Sequence, residues 1–251
     1  MKRWCLFTIV ATAITLTGYG IKPGSGAAAD EGPTGTARIV VKVLLSGTPP
    51  PMPKLQMNSE PVCAKQHATK AALSQEVEVG AAGALKDTFV FIKDGIAGAY
   101  PAPTTPAVLD QVGCVYTPHL LGVMAGQPLQ ILNSDPTLHN IHPLPVTNAW
   151  FNIGMPVQGL KSTRVFSKPE APFHVKCDVH AWMSAYISVF SHPFFGVSNE
   201  QGEVELKNLP AGTFQVQAWQ EKYGVRTQSV TVAASETKQI TFTFKASPGQ
   251  Q

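Results

Sequence analysis

The chain has 251 residues, 44% of them hydrophobic and only 14% charged, with 21 glycines and 21 prolines. That composition excludes a disordered polymer or a long helical assembly and points to short strands joined by turns. The formal charge of +3 is carried by Lys2, Arg3 and Lys22; residues 30–251 hold 16 basic against 16 acidic residues, without the Lys/Arg run a nucleic-acid partner needs.

Lys2 and Arg3 precede an apolar run over residues 4–16, and small residues follow as far as Ala27-Ala28-Ala29. This is the pattern of a secretory signal over residues 1–29. A retained span is disfavoured because the run falls short of ~20 residues and is diluted by Thr8, Thr12 and Thr15. The expected destination is a periplasm or the exterior, with no membrane span in the mature chain.

Residues 37–45 are β-branched and partly alternating, a strand that ends before Pro49-Pro50-Pro51 and Pro53. Residues 61–73 have the composition of a short helix. A strand is expected at 88–93, closed by Asp94-Gly95, and Pro101, Pro103 and Pro106 mark a boundary. Short strands then recur near Val108, Val115, 120–123 and 129–132, the spacing of a sandwich or barrel. Residues 173–176 lead into a loop that 185–190 leaves as a strand. Beyond His192-Pro193 the chain alternates turns at 199–202 and 209–212 with strands at 203–206, 213–219, 228–232 and 239–244. The expected division is thus 30–104, 105–192 and 193–251.

The loop sequence Cys177-Asp178-Val179-His180-Ala181-Trp182-Met183 places a thiolate, an imidazole and a thioether within seven residues. Only a soft metal centre uses all three, and an upstream imidazole from His139 or His142 would complete the donor list of a blue-copper site. A thioether argues for copper over zinc. Residues 30–251 hold three cysteines, Cys63, Cys114 and Cys177, an odd number for an oxidising compartment. The economical solution pairs Cys63 with Cys114 and leaves Cys177 to the metal. His67 and His119 follow the first two cysteines closely and would suit a second metal site only in the reduced protein; with a disulfide they read as structural, while His174 reads as a strand-surface residue and His192 as a turn residue. No G-x-S-x-G, H-E-x-x-H or phosphate-binding glycine loop is present, so no enzyme is expected.

Residues 108–190 resemble a cupredoxin with amicyanin-like ligand spacing, on three runs: Gly126 to Asp135 before the first ligand, His139-Asn140-Ile141-His142, and Met183-Ser184-Ala185-Tyr186-Ile187-Ser188-Val189. The resemblance implies His139, Cys177, His180 and Met183 as ligands of one type 1 copper. It gives Asn140 the task of bracing the ligand loops and directing its backbone N–H at the thiolate. It favours His139 over His142. Residues 199–214, with the run Leu206-Lys207-Asn208-Leu209-Pro210-Ala211-Gly212, resemble the carboxypeptidase regulatory-like (transthyretin-like) family, whose first half the strands at 37–45 and 88–93 would supply. The implied fold class is all-β: a cupredoxin Greek-key β-sandwich or barrel plus a second small β-sandwich module. The implied function is an exported one-electron carrier that docks transiently with redox partner proteins through the exposed edge of His180 and a patch of Ala181, Trp182, Pro143, Leu144 and Pro145. The rival is a copper-handling or carbohydrate-binding surface protein without redox turnover.

Overall fold

The computed structural model describes residues 34–246 together with Met1 and Gly32; the signal-sequence expectation lies outside the described residues. The strands are β1 (Ala37–Ser46), β2 (Phe89–Asp94), β3 (Ala107–Val112), β4 (Val115–Thr117), β5 (Leu120–Met124), β6 (Pro128–Asn133), β7 (His139–Pro143), β8 (Ile153–Met155), β9 (Lys161–Val165), β10 (Glu170–Lys176), β11 (Ser184–Phe190), β12 (Phe195–Val197), β13 (Glu203–Leu209), β14 (Gly212–Gln220), β15 (Gly224–Val232) and β16 (Thr237–Lys245). One helical segment, α1 (Pro61–Gln66), and a 3-10 turn accompany them. The chain is therefore all-β. No helix among the described residues is long and apolar enough to cross a membrane.

The helix expected over 61–73 stops at Gln66. His67 turns its ring to the carbonyls of Lys70 and Gly113, and a bridge between Lys54 and Leu73 pulls the following residues into an extended return. Tertiary contacts outweigh the modest propensity of a six-residue helix.

In β1, Ala37, Ile39, Val41, Val43 and Leu45 point inward and are at most 5% exposed. Period-two alternation makes one face apolar, and that face must be covered. Antiparallel β13 and parallel β16 flank β1, while β2 lies between β12 and β14, with β15 beyond. These two sheets enclose one core, to which β1, β2, β13, β14 and β16 contribute Val43, Ile92, Leu206, Phe214 and Phe242. The turn before β13 requires Gly202, at φ +70°, where a Cβ would run into the Val43 carbonyl oxygen.

Between β2 and β12 the chain builds a second pair of sheets, in the orders β4-β3-β6-β9 and β5-β11-β10-β7-β8. Strand β3 runs parallel to β6 and β5 parallel to β11, so the connections cross between sheets and do not meander. Leu109, Ile131, Ile141, Phe173, Val175 and Ile187 fill this core.

An aromatic cluster joins the two sandwiches. Phe190 stacks on Phe195 at 4.1 Å between centroids, and Trp219 packs against Tyr186 and Phe89. Beside it, buried His119 meets Glu221 at 2.7 Å through Nε2 while Nδ1 faces the Ser184 carbonyl at 3.1 Å. Burial opposes a charge on His119, but Glu221, Asp87 and that carbonyl outweigh it and raise its pKa from 6.5. A raised histidine pKa contributes stability that is fully present below the unfolded-state value and is lost as pH climbs through the folded-state value. Urea midpoints should therefore fall from pH 6.5 upward, and His119→Gln should flatten that slope.

Candidate metal centre

Cys177, His180 and Met183 lie on the loop between β10 and β11, and His139 opens β7, the neighbour of β10. The sheet thus carries a donor from a distant part of the chain to the loop that holds the others. One ligand atom each from His139, Cys177 and His180 lies within 4.8 Å of the others, and all three residues are buried. The two Nδ1 atoms face each other at 3.0 Å, and His180 Nδ1 is 4.0 Å from Cys177 Sγ. Met183 is 1% exposed in the same core cluster as Cys177, and its N–H closes the loop on the His180 carbonyl at 2.9 Å.

Burial alone would raise the Cys177 thiol. The His139 imidazole and the backbone N–H groups of His180, Val179 and Asn140 outweigh it and hold the thiol below its usual value; the His180 N–H lies 3.3 Å from the sulfur. The side chain of Asn140 accepts the Asp178 N–H at 3.0 Å and donates to Asn152 and the Ile153 carbonyl, tying the ligand loop to β7 and β8. Tyr116 hydroxyl donates to the Asn140 and Lys176 carbonyls from beneath.

Asp135 is the hub that residue-type reasoning missed. Its Oδ1 accepts the Gly113 N–H at 2.9 Å and the Gln66 side chain at 3.0 Å; its Oδ2 takes the Cys114 N–H at 2.7 Å and His139 Nε2 at 2.9 Å. Burial pushes this carboxyl up, yet the hydrogen bonds from His139, Cys114, Gln66 and Gly113 bring it down to about 2. An ionised carboxylate on Nε2 fixes the His139 ring and turns the Nδ1 lone pair toward the cluster. The i,i+4 spacing of Asp135 and His139 was the available sequence signal.

His142 stands apart from the buried cluster. It bonds Asp178 Oδ2 at 2.9 Å and lies beside the ring of exposed Trp150. Cys63 and Cys114 form a disulfide with a Cα separation of 5.7 Å, leaving Cys177 as the free thiol among the described residues. Cys114, Asp135 and His139 also cluster, but the disulfide commits that sulfur elsewhere. His174 bonds Ser184 Oγ, and His192 is buried against the Ile92 carbonyl instead of lying on an open turn.

The expected exposed edge of His180 needs correction. His180 is 2% exposed, its ring covered by Trp182 at 4.9 Å between centroids and its Nε2 faced by Glu60 at 3.5 Å. Trp182 is itself held inward, donating from Nε1 to the Cys114 carbonyl at 3.0 Å, and Pro143 is buried. Part of this cover comes from Trp182 of the same loop and part from Glu60, a residue before β2 that nothing in the ligand motif foretold.

No protein-family model matches the sequence, and no curated protein matches it. Solved structures with partial likeness include a purple cupredoxin from Nitrosopumilus maritimus, at 21% identity over 34% of this chain and 99% of that one, TM-score 0.29. Others are the Cu(I) form of an amicyanin variant, at 18% identity over 36% and 86%, TM-score 0.31, and a copper-containing nitrite reductase from Thermus scotoductus SA-01, at 20% identity over 40% and 25%, TM-score 0.30. Each covers 40% of this chain or less, so the donor set has to identify the centre.

Proposed function

We propose that the chain is an exported mononuclear type 1 copper protein that carries one electron at a time between partner proteins and transforms no substrate. Residues 105–192 form a cupredoxin in this reading, set into a carboxypeptidase regulatory-like sandwich assembled from both ends of the chain. The observation that carries the proposal is the convergence of His139, Cys177 and His180 in a buried cluster with Met183 beside it. Two imidazoles, a thiolate and a weak thioether fit copper in both oxidation states. When bound, the metal supplies the one-electron couple. The chain's own residues hold the donors still: Asp135 fixes His139, Asn140 fixes the Asp178 end of the loop, and the core beneath excludes water.

Protein loaded with Cu(II) should be intensely coloured by thiolate-to-copper charge transfer, bleach on reduction and regain its colour on oxidation. Cys177→Ser should abolish the band while leaving the fold intact. A colourless loaded protein would overturn the reading. The covering of His180 favours one rival, copper handling without turnover; Cu(I) binding that cannot be cycled would decide for it.

A further inference from the structure

The outer wall of the metal centre is made by residues far from the donors in sequence. Residues 53–74 fold back on themselves: the Leu55 N–H meets the Ala72 carbonyl and the Ser74 N–H meets the Pro53 carbonyl, each at 2.9 Å. Met57 and Cys63 are buried at their centre, packed with Cys114 and partly buried Trp182. Four attachments fix the segment over the site. They are the Cys63–Cys114 disulfide, Gln66 on Asp135, His67 Nε2 on the Gly113 carbonyl at 2.7 Å, and Glu60 against His180.

The last attachment is the informative one. His180 Nε2 is buried and makes no hydrogen bond, while Glu60 Oε2 stands 3.5 Å from it. A neutral imidazole that ligates through Nδ1 carries its proton on Nε2, so a metal-bound His180 presents an N–H to that carboxylate. His139 is already arranged this way on Asp135. Both imidazoles are backed by carboxylates, one from beside its own strand and one from the folded-back segment.

We propose that Glu60 is a positioning residue for the His180 ligand, delivered by a disulfide-anchored cap that seals the metal centre and must move for metal to exchange. The inference rests on the metal-centre reading above and extends it to residues outside the donor motif. Glu60 is only partly buried, its side chain 29% exposed, so its replacement should spare the fold, which near-UV circular dichroism checks.

The test loads wild type, Glu60→Ala and Glu60→Asp with Cu(II) or, separately, with Zn(II), and times metal release to excess chelator. Loss of a carboxylate behind a ligand histidine typically costs 10–100-fold in metal affinity. Glu60→Ala should accordingly release either metal at least about tenfold faster and shift the charge-transfer band, and Glu60→Asp should restore part of both. Release at the wild-type rate with an unchanged spectrum would overturn the proposal. Absence of the intense band in loaded wild type would sink the type 1 copper reading alone, because Zn(II) release still reports on the cap. A protein that retains neither metal would overturn both.

Discussion

Asp135→Ala should be among the most damaging single changes in the chain, lowering stability by roughly 3–5 kcal/mol as read from urea midpoints. Four donors converge on this carboxylate, and two of them are backbone N–H groups of Gly113 and Cys114 that no rotamer change can redirect. Removing the carboxylate leaves buried N–H groups without partners, and their desolvation penalty dominates over any lost attraction. Asp135→Asn keeps one oxygen but presents an N–H₂ to donors, so it should recover only part of the loss. Metal affinity should fall by about 10–100-fold in either variant, since the His139 ring loses the group that orients it. A copper dissociation constant unchanged in Asp135→Asn would show that packing alone holds His139.

Much of this arrangement is readable from residue type because period and chemistry act locally. The alternation over residues 37–45 reappears as the inward face of β1. The seven-residue loop from Cys177 to Met183 stands out because few other uses gather those three side chains, and the structure brings Cys177 and His180 together with His139. The choice between His139 and His142 was also decidable in principle: three residues apart on one strand, they face opposite sides, and the structure turns His139 inward and His142 toward Asp178.

The rest depended on distance in the chain. Glu60 has no motif of its own; it reaches His180 only because Cys63 is bound to Cys114 and Cys114 precedes β4, beneath the ligand loop. Asp135 closes the run before His139, where Asn133 Oδ1 accepts its N–H at 3.0 Å. Its carboxylate acquires four partners only when β3, α1 and β7 have been brought together. Burial of His180 follows from the same long-range step together with the Trp182 ring of its own loop, which is why the exposed-edge expectation failed.

The Cys63/Cys114 pair should carry the other large effect. The bond spans 51 residues, for which loop-closure entropy lost from the unfolded chain corresponds to about 4 kcal/mol at 25 °C. Cys63→Ala/Cys114→Ala should lower the urea-derived stability by that order, measured with the wild type kept oxidised. Both sulfurs are fully buried, so the substitutions also leave small voids, and the cross-link and packing losses act in the same direction. The cost should not add to that of Asp135→Ala. The Cys114 N–H donates to Asp135, and once the cross-link is gone this N–H and the Gln66 side chain gain freedom to find water, reducing the penalty of deleting the carboxylate. The triple variant should therefore be more stable than the sum of the separate losses allows, by about 0.5–3 kcal/mol of coupling. Strict additivity would mean that Asp135 holds its ligand histidine independently of the disulfide-anchored cap.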